Sequence, residues 1–287
     1  MRIEAEGSSY VRNSRPGNLV RSVEVESRAA HASRGARVAV IPARGGSKRI
    51  PGKNIRSFLG KPAIAYPIAA AWRSKLFDRV VVSTDSPRIA EIALAHGAEV
   101  PFLRPAELAD DYCGTLPVLQ HALATLDLAA TTSVDFVCCI YPTAVLLAEN
   151  HLVEAFRKLS ASPSMAYCFS VCSYPHPTQR ALRVTESGVA VAVSPEHAAK
   201  RTQDLPPQYH DAGQFYWGTS EAVRQGIPFF SGPSLPYVLR RTEFVDIDDA
   251  DDWAYAEALA QALKIARRIN TRCTSTDSAR TASSQSG

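Results

Sequence analysis

Short apolar runs rich in β-branched residues alternate with longer amphipathic stretches between Arg37 and residue 263. This alternation is typical of a mainly parallel sheet whose faces are covered by helices. The predicted strands are Val38 to Ile41, Arg79 to Ser83, Val134 to Tyr141, Ala166 to Val171 and Phe215 to Trp217. The predicted helices are Pro62 to Lys75, Arg88 to His96, Leu116 to Leu126, Glu149 to Leu159 and Ala250 to Ile265. The pattern therefore predicts an α/β protein with a Rossmann-like sheet.

The alternation stops between Tyr174 and Gln214, where prolines and turn residues dominate. A short hairpin is predicted within this segment, from Leu182 to Val193. We expect residues 174–214 to be a small insertion over the carboxyl edge of the sheet, the edge at which open α/β sheets bind ligands. Pro67 conflicts with the first predicted helix, because a proline in a helix interior removes a hydrogen bond and kinks the chain.

The composition is that of a soluble protein with one substantial core, since 46% of the 287 residues are hydrophobic and 21% are charged. The longest apolar run, Phe136 to Tyr141, is far shorter than the roughly 20 residues that span a bilayer, so no membrane partner is expected. The first 30 residues hold four glutamates and no long apolar stretch, which indicates a cytoplasmic location. The six cysteines form no CxxC motif, and buried free thiols are expected.

The net charge of +4 is unevenly distributed along the chain. Residues 1–36 and 264–287 are both basic, whereas residues 37–263 hold 21 basic and 23 acidic side chains. Both ends are rich in Ser, Thr, Arg and Gly, which predicts a flexible extension at 1–36, a folded domain at 37–263 and a flexible tail at 264–287. No nucleic-acid partner is expected, although binding through the basic ends stays open as an alternative.

In one segment of the acidic domain, every charged residue is basic. From Arg37 to Lys61 there are seven Lys or Arg residues and no Asp or Glu. The loop follows the first predicted strand, and Gly45-Gly46 allows backbone N–H groups to approach an anion closely. It matches neither the Walker A pattern nor the dinucleotide-binding pattern. These features predict a polyphosphate site, and the alternative is a solvated basic turn.

Two aspartates, Asp246 and Asp248, precede the last predicted helix. If this stretch is extended, both carboxylates project to the same face, where they could hold Mg²⁺ together with substrate phosphates. The alternative is that they belong to the acidic first turn of the helix, with Asp249, Asp251 and Asp252.

The basic loop, Ile41 to Asn54, closely resembles the nucleotide loop of the CMP-sialic acid synthetase family, cytidylyltransferases that activate nonulosonic acids. Further matching motifs follow in the family's order: Phe77 to Asp85, Leu103 to Leu108, Tyr141 to Thr143, and Val245 to Asp248. The segment Gln208 to Trp217 looks most like the branch that acts on pseudaminic acid. The resemblance implies a nucleotidyltransferase fold of GT-A type, with CTP and a nonulosonic acid as substrates and CMP-sugar and pyrophosphate as products.

The resemblance also implies roles for individual residues on the nucleotide side. The triphosphate of CTP would contact Arg44, Gly46, Ser47, Lys48, Lys53 and Asn54, and the cytidine would contact Arg104 and Thr115. Mg²⁺ would bind Asp246 and Asp248, which with Lys48 form the predicted catalytic set. The implied reaction is a magnesium-assisted in-line attack of the anomeric hydroxyl on the α-phosphate.

The predicted sugar contacts are Tyr141, Arg180, Arg201, His210, Gln214 and Tyr216. Tyr141 departs from the family pattern, since sialic acid enzymes usually carry Gln there, and this favours a less polar 9-deoxy sugar such as pseudaminic acid. The alternatives are a sialic acid or legionaminic acid synthetase, and a nucleotide-binding protein without catalysis. Family members are commonly homodimers, so a homodimer is expected, with residues 174–214 as the predicted contact.

Overall fold

A computed structural model of the protein describes residues 35–129 and 133–264. Its strands are β1 Ala36–Pro42, β2 Ser57–Phe58, β3 Lys61–Pro62, β4 Arg79–Ser83, β5 Val134–Ile140, β6 Tyr167–Ser173, β7 Leu182–Val184, β8 Ala190–Ala192, β9 Tyr209–Thr219 and β10 Ser234–Leu239. Six of them form one sheet in the order β10-β6-β9-β5-β1-β4, in which only β9 runs antiparallel to its neighbours. The prediction of a mainly parallel α/β sheet is confirmed.

The helices are α1 Ala65–Arg73, α2 Pro87–Ala95, α3 Thr115–Ala129, α4 Glu149–Ser160 and α5 Ser220–Arg224, followed by α6 at 250–264. Within the described ranges, no helix is long and apolar enough to cross a membrane. Helix α1 begins three residues later than predicted, which places Pro67 in its first turn. A proline is tolerated there because the first N–H groups of a helix have no partner within it, so the expected kink is wrong.

The sheet is buried on both faces, and successive residues of each strand point to opposite sides. On one face, Ile41 and Trp217 pack with apolar side chains of α1, α2 and α4. On the other, Val40 and Tyr216 pack with α3 and α5. Four of the cysteines are buried and free as expected, and the fifth described cysteine, Cys113, is half-buried and free. Cys273 lies outside the described residues.

A separate apolar cluster joins the basic loop to the end of the domain. Ile50 of that loop packs with Val245 and Ile247, and Trp253 of α6 closes the cluster. All four side chains are at most 7% exposed. Because this cluster is tightly packed, it fixes the loop against the segment that carries Asp246 and Asp248.

Two parts of the sheet differ from the sequence prediction. Strand β10 is missing from the prediction because Pro236 interrupts its apolar pattern, and it occurs as an edge strand, where proline is tolerated. Strand β9 is 11 residues long and so includes the last residues of the predicted insertion. The β7–β8 hairpin confirms the turn predicted within that insertion. The flexible segments predicted at 1–36 and 264–287 fall almost wholly outside the described residues.

Candidate active site

A cleft of about 430 Å³ opens at the carboxyl edge of the sheet. It lies where β1 and β5 end and where the antiparallel β9 begins, since the amino end of β9 shares this edge. The cleft is lined by Pro42, Arg44, Ser47, Lys48, Arg49, Ile50, Lys53, Asn54, Tyr141, Pro142, Thr143, Asp211, Gly213, Asp246 and Asp248. The structure therefore brings two distant segments into one site. The basic loop and the predicted metal ligands Asp246 and Asp248 are almost 200 residues apart in the sequence.

The backbone of the basic loop is held in place by two polar contacts. The N–H of Gly45 donates to Asp85 Oδ1 at 2.8 Å, and Asn54 Nδ2 donates to the carbonyl of Arg44 at 3.0 Å. Asn54 is buried, so its amide serves the loop as well as lining the cleft. Gly46 has no neighbour within 4 Å of its Cβ position and does not line the cleft.

The loop cations face an acidic residue that the sequence reasoning did not identify. Asp111 pairs with Arg44 at 2.8 Å and also with Lys48. Hydrogen bonds from Lys48 and then Arg44 lower the pKa of Asp111. The Arg44 guanidinium also donates to the carbonyl of Asp110 at 2.7 Å. Two of the predicted phosphate ligands are thus gathered at one wall of the cleft.

Asp246 and Asp248 project into the cleft. Val245, which precedes them, and Ile247, which lies between them, are buried. Both carboxylates thus face the same space, and their role as metal ligands stays a prediction. Asp248 Oδ1 lies 2.6 Å from Arg49 Nη2 and 3.6 Å from Lys53 Nζ. Asp246 keeps solvent contact, yet the walls of the cleft displace part of its hydration, and this desolvation, followed by the charge of Asp248, raises its pKa.

A second cavity of about 330 Å³ adjoins the cleft. It is lined by Gly114, Thr115, Leu116, Pro117, Tyr141, Asp211, Tyr216, Pro228, Phe229 and Phe230. Tyr141 and Asp211 line both spaces, so the basic cleft passes into a largely apolar chamber at these two residues. Phe229 and Phe230 were not predicted because they carry no local signal, and Asp211 was not singled out although it lies within the segment Gln208 to Trp217.

The polar groups of the second cavity form two hydrogen bonds with each other. The hydroxyls of Thr115 and Tyr141 lie 2.9 Å apart, and Tyr216 donates to Asp211 Oδ2. Burial raises the pKa of Tyr141 to about 12, and burial followed by the charge of nearby groups raises that of Tyr216 further. Both phenols are therefore neutral at physiological pH.

The other predicted site residues lie outside the linings of the two cavities. Arg104 is buried, and its guanidinium braces the end of β4 through the side chain and the carbonyl of Ser83. Gln214 is 2% exposed, and its Nε2 donates to backbone carbonyls, including that of Val245 at 3.3 Å. The cytidine role of Arg104 and the sugar role of Gln214 stay predictions.

The residues predicted from the insertion are also engaged elsewhere. The exposed Arg201 pairs with Asp204 at 2.7 Å, three residues along the chain. Arg180 donates to the hydroxyl of Thr202 at 3.2 Å, and the ring of His210 packs against that of Tyr174 with the centroids 5.0 Å apart. These contacts bring none of the three side chains into the described cavities, and their sugar-binding roles stay predictions.

A mainly parallel sheet with a cationic loop and a carboxylate pair at its carboxyl edge suits the binding of a phosphorylated ligand. The chain belongs to the cytidylyltransferase family, whose family model matches residues 38–267. It is 42% identical over 220 residues to a pseudaminic acid cytidylyltransferase of Campylobacter jejuni, covering 77% of this chain and 94% of the relative. It is 34% identical over 244 residues to a CMP-N,N'-diacetyllegionaminic acid synthase of Legionella pneumophila, covering 78% and 96%.

Among solved structures, the fold is similar to that of a CMP:2-keto-3-deoxy-manno-octonic acid synthetase complexed with CTP. The TM-score is 0.60 at 17% identity, over 79% of this chain and 99% of the other. This likeness confirms the nucleotidyltransferase fold expected from the sequence. The chain is an enzyme of the cytidylyltransferase class.

Proposed function

We propose that the enzyme transfers CMP from CTP to pseudaminic acid and releases pyrophosphate. The observation that carries the proposal is the junction of two unlike spaces, a cationic cleft and a mainly apolar chamber, at Tyr141 and Asp211. The cleft suits a triphosphate, and the chamber suits a sugar with deoxy and acylated positions. Relatives named for pseudaminic acid at 42% identity support this choice of sugar. A cytoplasmic location, where CTP is available, is part of the proposal.

On the nucleotide side, Arg44, Lys48 and Lys53 supply positive charge to the phosphates, and Ser47 supplies a hydroxyl donor. The position of Lys48 at the rim of the cleft suits contact with the departing pyrophosphate. Thr115 lines the adjoining chamber, and the contact with the nucleoside that the resemblance implies is part of the proposal. In phosphoryl transfer the protein contributes mainly by positioning the reactants and by neutralising charge.

The carboxylate pair fits a divalent cation. The described residues contain no group of three or more His, Cys, Asp or Glu side chains that could hold a metal ion. Two carboxylates, Asp246 and Asp248, would therefore leave most ligand positions to phosphate oxygens and water, as Mg²⁺ prefers. The raised pKa of Asp246 also indicates a carboxylate that a cation would stabilise. When bound there, Mg²⁺ supplies Lewis-acid polarisation of the α-phosphate.

On the sugar side, the chamber presents aromatic rings at Phe229, Phe230 and Tyr216. Such walls suit methyl groups of acyl chains and a deoxygenated terminal carbon, whereas the hydroxyls of Thr115 and Tyr141 offer a few polar contacts. With the sugar in the chamber and the triphosphate along the basic loop, the anomeric hydroxyl approaches the α-phosphorus opposite the pyrophosphate. This arrangement is the one that in-line displacement requires.

Replacing Lys48 with Ala is expected to raise the KM for CTP by about tenfold or more, because a charge-assisted phosphate contact is lost. Steady-state kinetics with varied CTP would measure the effect. Lys61→Ala is the matched control, since Lys61 lies in the same basic stretch but does not line the cleft. A KM for CTP that Lys48→Ala leaves unchanged within twofold would count against the role of the loop.

The experiment that tests the choice of sugar is pyrophosphate release with CTP and a panel of sugar acids. Pseudaminic acid is expected to give the highest kcat/KM, ahead of N-acetylneuraminic acid and N,N'-diacetyllegionaminic acid. A higher kcat/KM with the legionaminic compound would replace the proposed sugar, an outcome compatible with the 34% identical relative. Binding of CTP without release of pyrophosphate from any of the three would contradict catalysis altogether.

We further propose that the enzyme is a homodimer that associates through the β7–β8 hairpin. Leu182 and Val184 of this hairpin are 67% and 69% exposed, which is unusual for large aliphatic side chains. They alternate along β7 and pair with alanines of β8, so both point to the same face. That face would bury its apolar side chains against a second copy of the chain.

The double variant Leu182→Asp, Val184→Asp is expected to convert the dimer into a monomer, because two charges would be buried at the contact. Light scattering after size-exclusion chromatography would measure the mass. Leu94→Asp, which changes an exposed leucine on α2, is the control and should remain dimeric. A monomeric wild type, or a double variant that stays dimeric, would contradict the proposed contact.

A further inference from the structure

Asp211 occupies a distinctive position between the two cavities. It lines the basic cleft and also the apolar chamber, and only Tyr141 shares this property. Among the described residues that line the chamber, Asp211 is the single charged one. A carboxylate at the boundary between a triphosphate site and a sugar site is adjacent to the point where the two substrates must meet.

An irregularity in β9 places Asp211 at this boundary. Phe169 of β6 pairs with Tyr216, whereas Val171 pairs with Asp211, so four residues of β9 lie opposite Ser170 alone. The Ser170 hydroxyl accepts the N–H groups of Gln214 and Phe215 and so stabilises the bulge. Bulges of this kind redirect side chains next to active sites.

Gly213 is what allows the bulge to form. Its φ of +59° favours glycine, and a Cβ there would lie 3.3 Å from the carboxylate of Asp246. The backbone of β9 therefore passes close to Asp246. Asp211 lies two residues before Gly213, at the edge of the same bulge. The titratable groups around Asp211 are Asp246 of the segment after β10, Cys139 of β5, Tyr141 directly after β5, and Tyr216 of its own strand.

The carboxylate of Asp211 can accept a further hydrogen bond. Oδ1 accepts the N–H of Gly213 at 3.0 Å and Oδ2 accepts the hydroxyl of Tyr216, which leaves a lone pair on each oxygen. Both donors are uncharged, and no cation in the described part of the chain forms an ion pair with it. Asp111 and Asp248, by contrast, are both paired with cations of the basic loop.

We propose that Asp211 accepts the proton of the sugar hydroxyl that attacks the α-phosphorus, an inference that rests on the proposed function. The O–H bond of the anomeric hydroxyl breaks and its proton passes to a carboxylate oxygen of Asp211. The hydroxyl oxygen forms its bond to the α-phosphorus as the bond to the bridging oxygen of pyrophosphate breaks, and the leaving group keeps that electron pair. Asp211 then returns the proton to solvent.

The same charge orients the substrate. A nonulosonic acid carries its own carboxylate on the carbon that bears the attacking hydroxyl. Two carboxylates repel each other, so the acid group is directed away from Asp211 and towards the cationic side of the cleft, and the hydroxyl is left facing Asp211. Asp211 thus selects the orientation in which the nucleophile points at the triphosphate.

The test compares Asp211→Asn and Asp211→Glu with the wild type, using CTP and pseudaminic acid. Asp211→Asn keeps the size and one acceptor oxygen for the N–H of Gly213 but cannot take the proton, so kcat is expected to fall by about 100-fold or more. The KM values for both substrates are expected to stay within about threefold, because neither binding site is removed. Asp211→Glu restores a carboxylate and should recover at least about tenfold of the lost kcat. Glu91→Gln, on the exposed face of α2, is the control and should match the wild type.

The outcomes separate the two proposals. A kcat for Asp211→Asn within threefold of the wild type, or a rise in the KM for sugar with kcat unchanged, overturns the proton-transfer role and leaves the proposed function standing. A wild type that is inactive with every sugar acid of the panel overturns both. If Asp211→Asn melts at a lower temperature or fails to bind CTP by calorimetry, Asp211→Glu decides instead, and failure of a folded Glu variant to exceed the Asn variant overturns the inference.

Discussion

Replacing Asp248 with Asn is expected to lower kcat by about 10³-fold, equivalent to about 4 kcal/mol of transition-state stabilisation. The substitution preserves the shape of the side chain and removes one of the two charges that would hold Mg²⁺. Asp248 lies in the cleft beside Arg49 and Lys53, so it stands where the cation and the phosphates would meet. Pyrophosphate release should be measured over a range of Mg²⁺ concentrations, and the variant should need more Mg²⁺ to reach half of its maximal rate.

Asp249→Asn is the matched control for this experiment. Oδ1 of Asp249 accepts the N–H groups of Asp251 and Asp252, so Asp249 caps the start of α6. Asparagine caps a helix about as well as aspartate, and near-normal kcat is expected. If the two variants lost activity equally, the acidic residues would serve the helix start rather than a metal, and the metal assignment would be wrong.

Replacing Trp217 with Ala is expected to reduce the free energy of unfolding by about 3–5 kcal/mol. Trp217 is fully buried in β9, its ring stacks on Phe77 at 4.9 Å, and its Nε1 donates to the carbonyl of Leu152 at 3.1 Å. The substitution leaves a large cavity in the strand that carries Asp211 and removes the hydrogen bond to the carbonyl of Leu152. The loss is a large share of the roughly 5–15 kcal/mol by which domains are stable.

Urea unfolding followed by far-ultraviolet circular dichroism would measure this loss. Trp72→Ala is the control, because Trp72 is 40% exposed and its Nε1 donates to the carbonyl of Gly97 near the surface. Its expected cost is about 1 kcal/mol, the typical net value of one hydrogen bond. Equal losses in the two variants would show that the packing around Trp217 is not what stabilises the centre of the sheet.

The parts of the site predicted from the sequence are those encoded by local pattern. The basic loop is recognisable because seven cations occur without a single acidic residue, and it lies in the cleft as expected. The Asp246 and Asp248 pair is recognisable because one residue, the apolar Ile247, separates the two aspartates, so an extended stretch places both carboxylates on one face. Both signals depend on residues within one segment, so no knowledge of the tertiary structure is needed.

The parts that were missed depend on contacts between distant segments. Asp111 is one of several polar residues in a loop, and only the fold brings it to Arg44 and Lys48. Asp211 reaches the boundary of the cavities through a bulge whose register is set by pairing with β6. Phe229 and Phe230 follow α5 in a segment without periodic pattern, so their place in a cavity cannot be predicted locally.

The insertion holds one prediction that stays open and one that is confirmed. Arg201 is predicted to contact the sugar, and the described structure shows it paired with Asp204, three residues along the chain. A short-range partner of opposite charge competes with a distant ligand, and it was visible in the sequence. The hairpin in the same segment was predicted correctly because its turn signal is also local.

The central claim is that a sugar hydroxyl displaces pyrophosphate from the α-phosphorus of CTP. Phosphorus NMR of the enzyme with CTP, pseudaminic acid and Mg²⁺ tests it most directly. The account predicts that the three CTP resonances disappear while pyrophosphate and one sugar phosphodiester resonance appear in equal amounts. Formation of CDP with inorganic phosphate, of CMP without the sugar phosphodiester, or no change in the CTP resonances would contradict it.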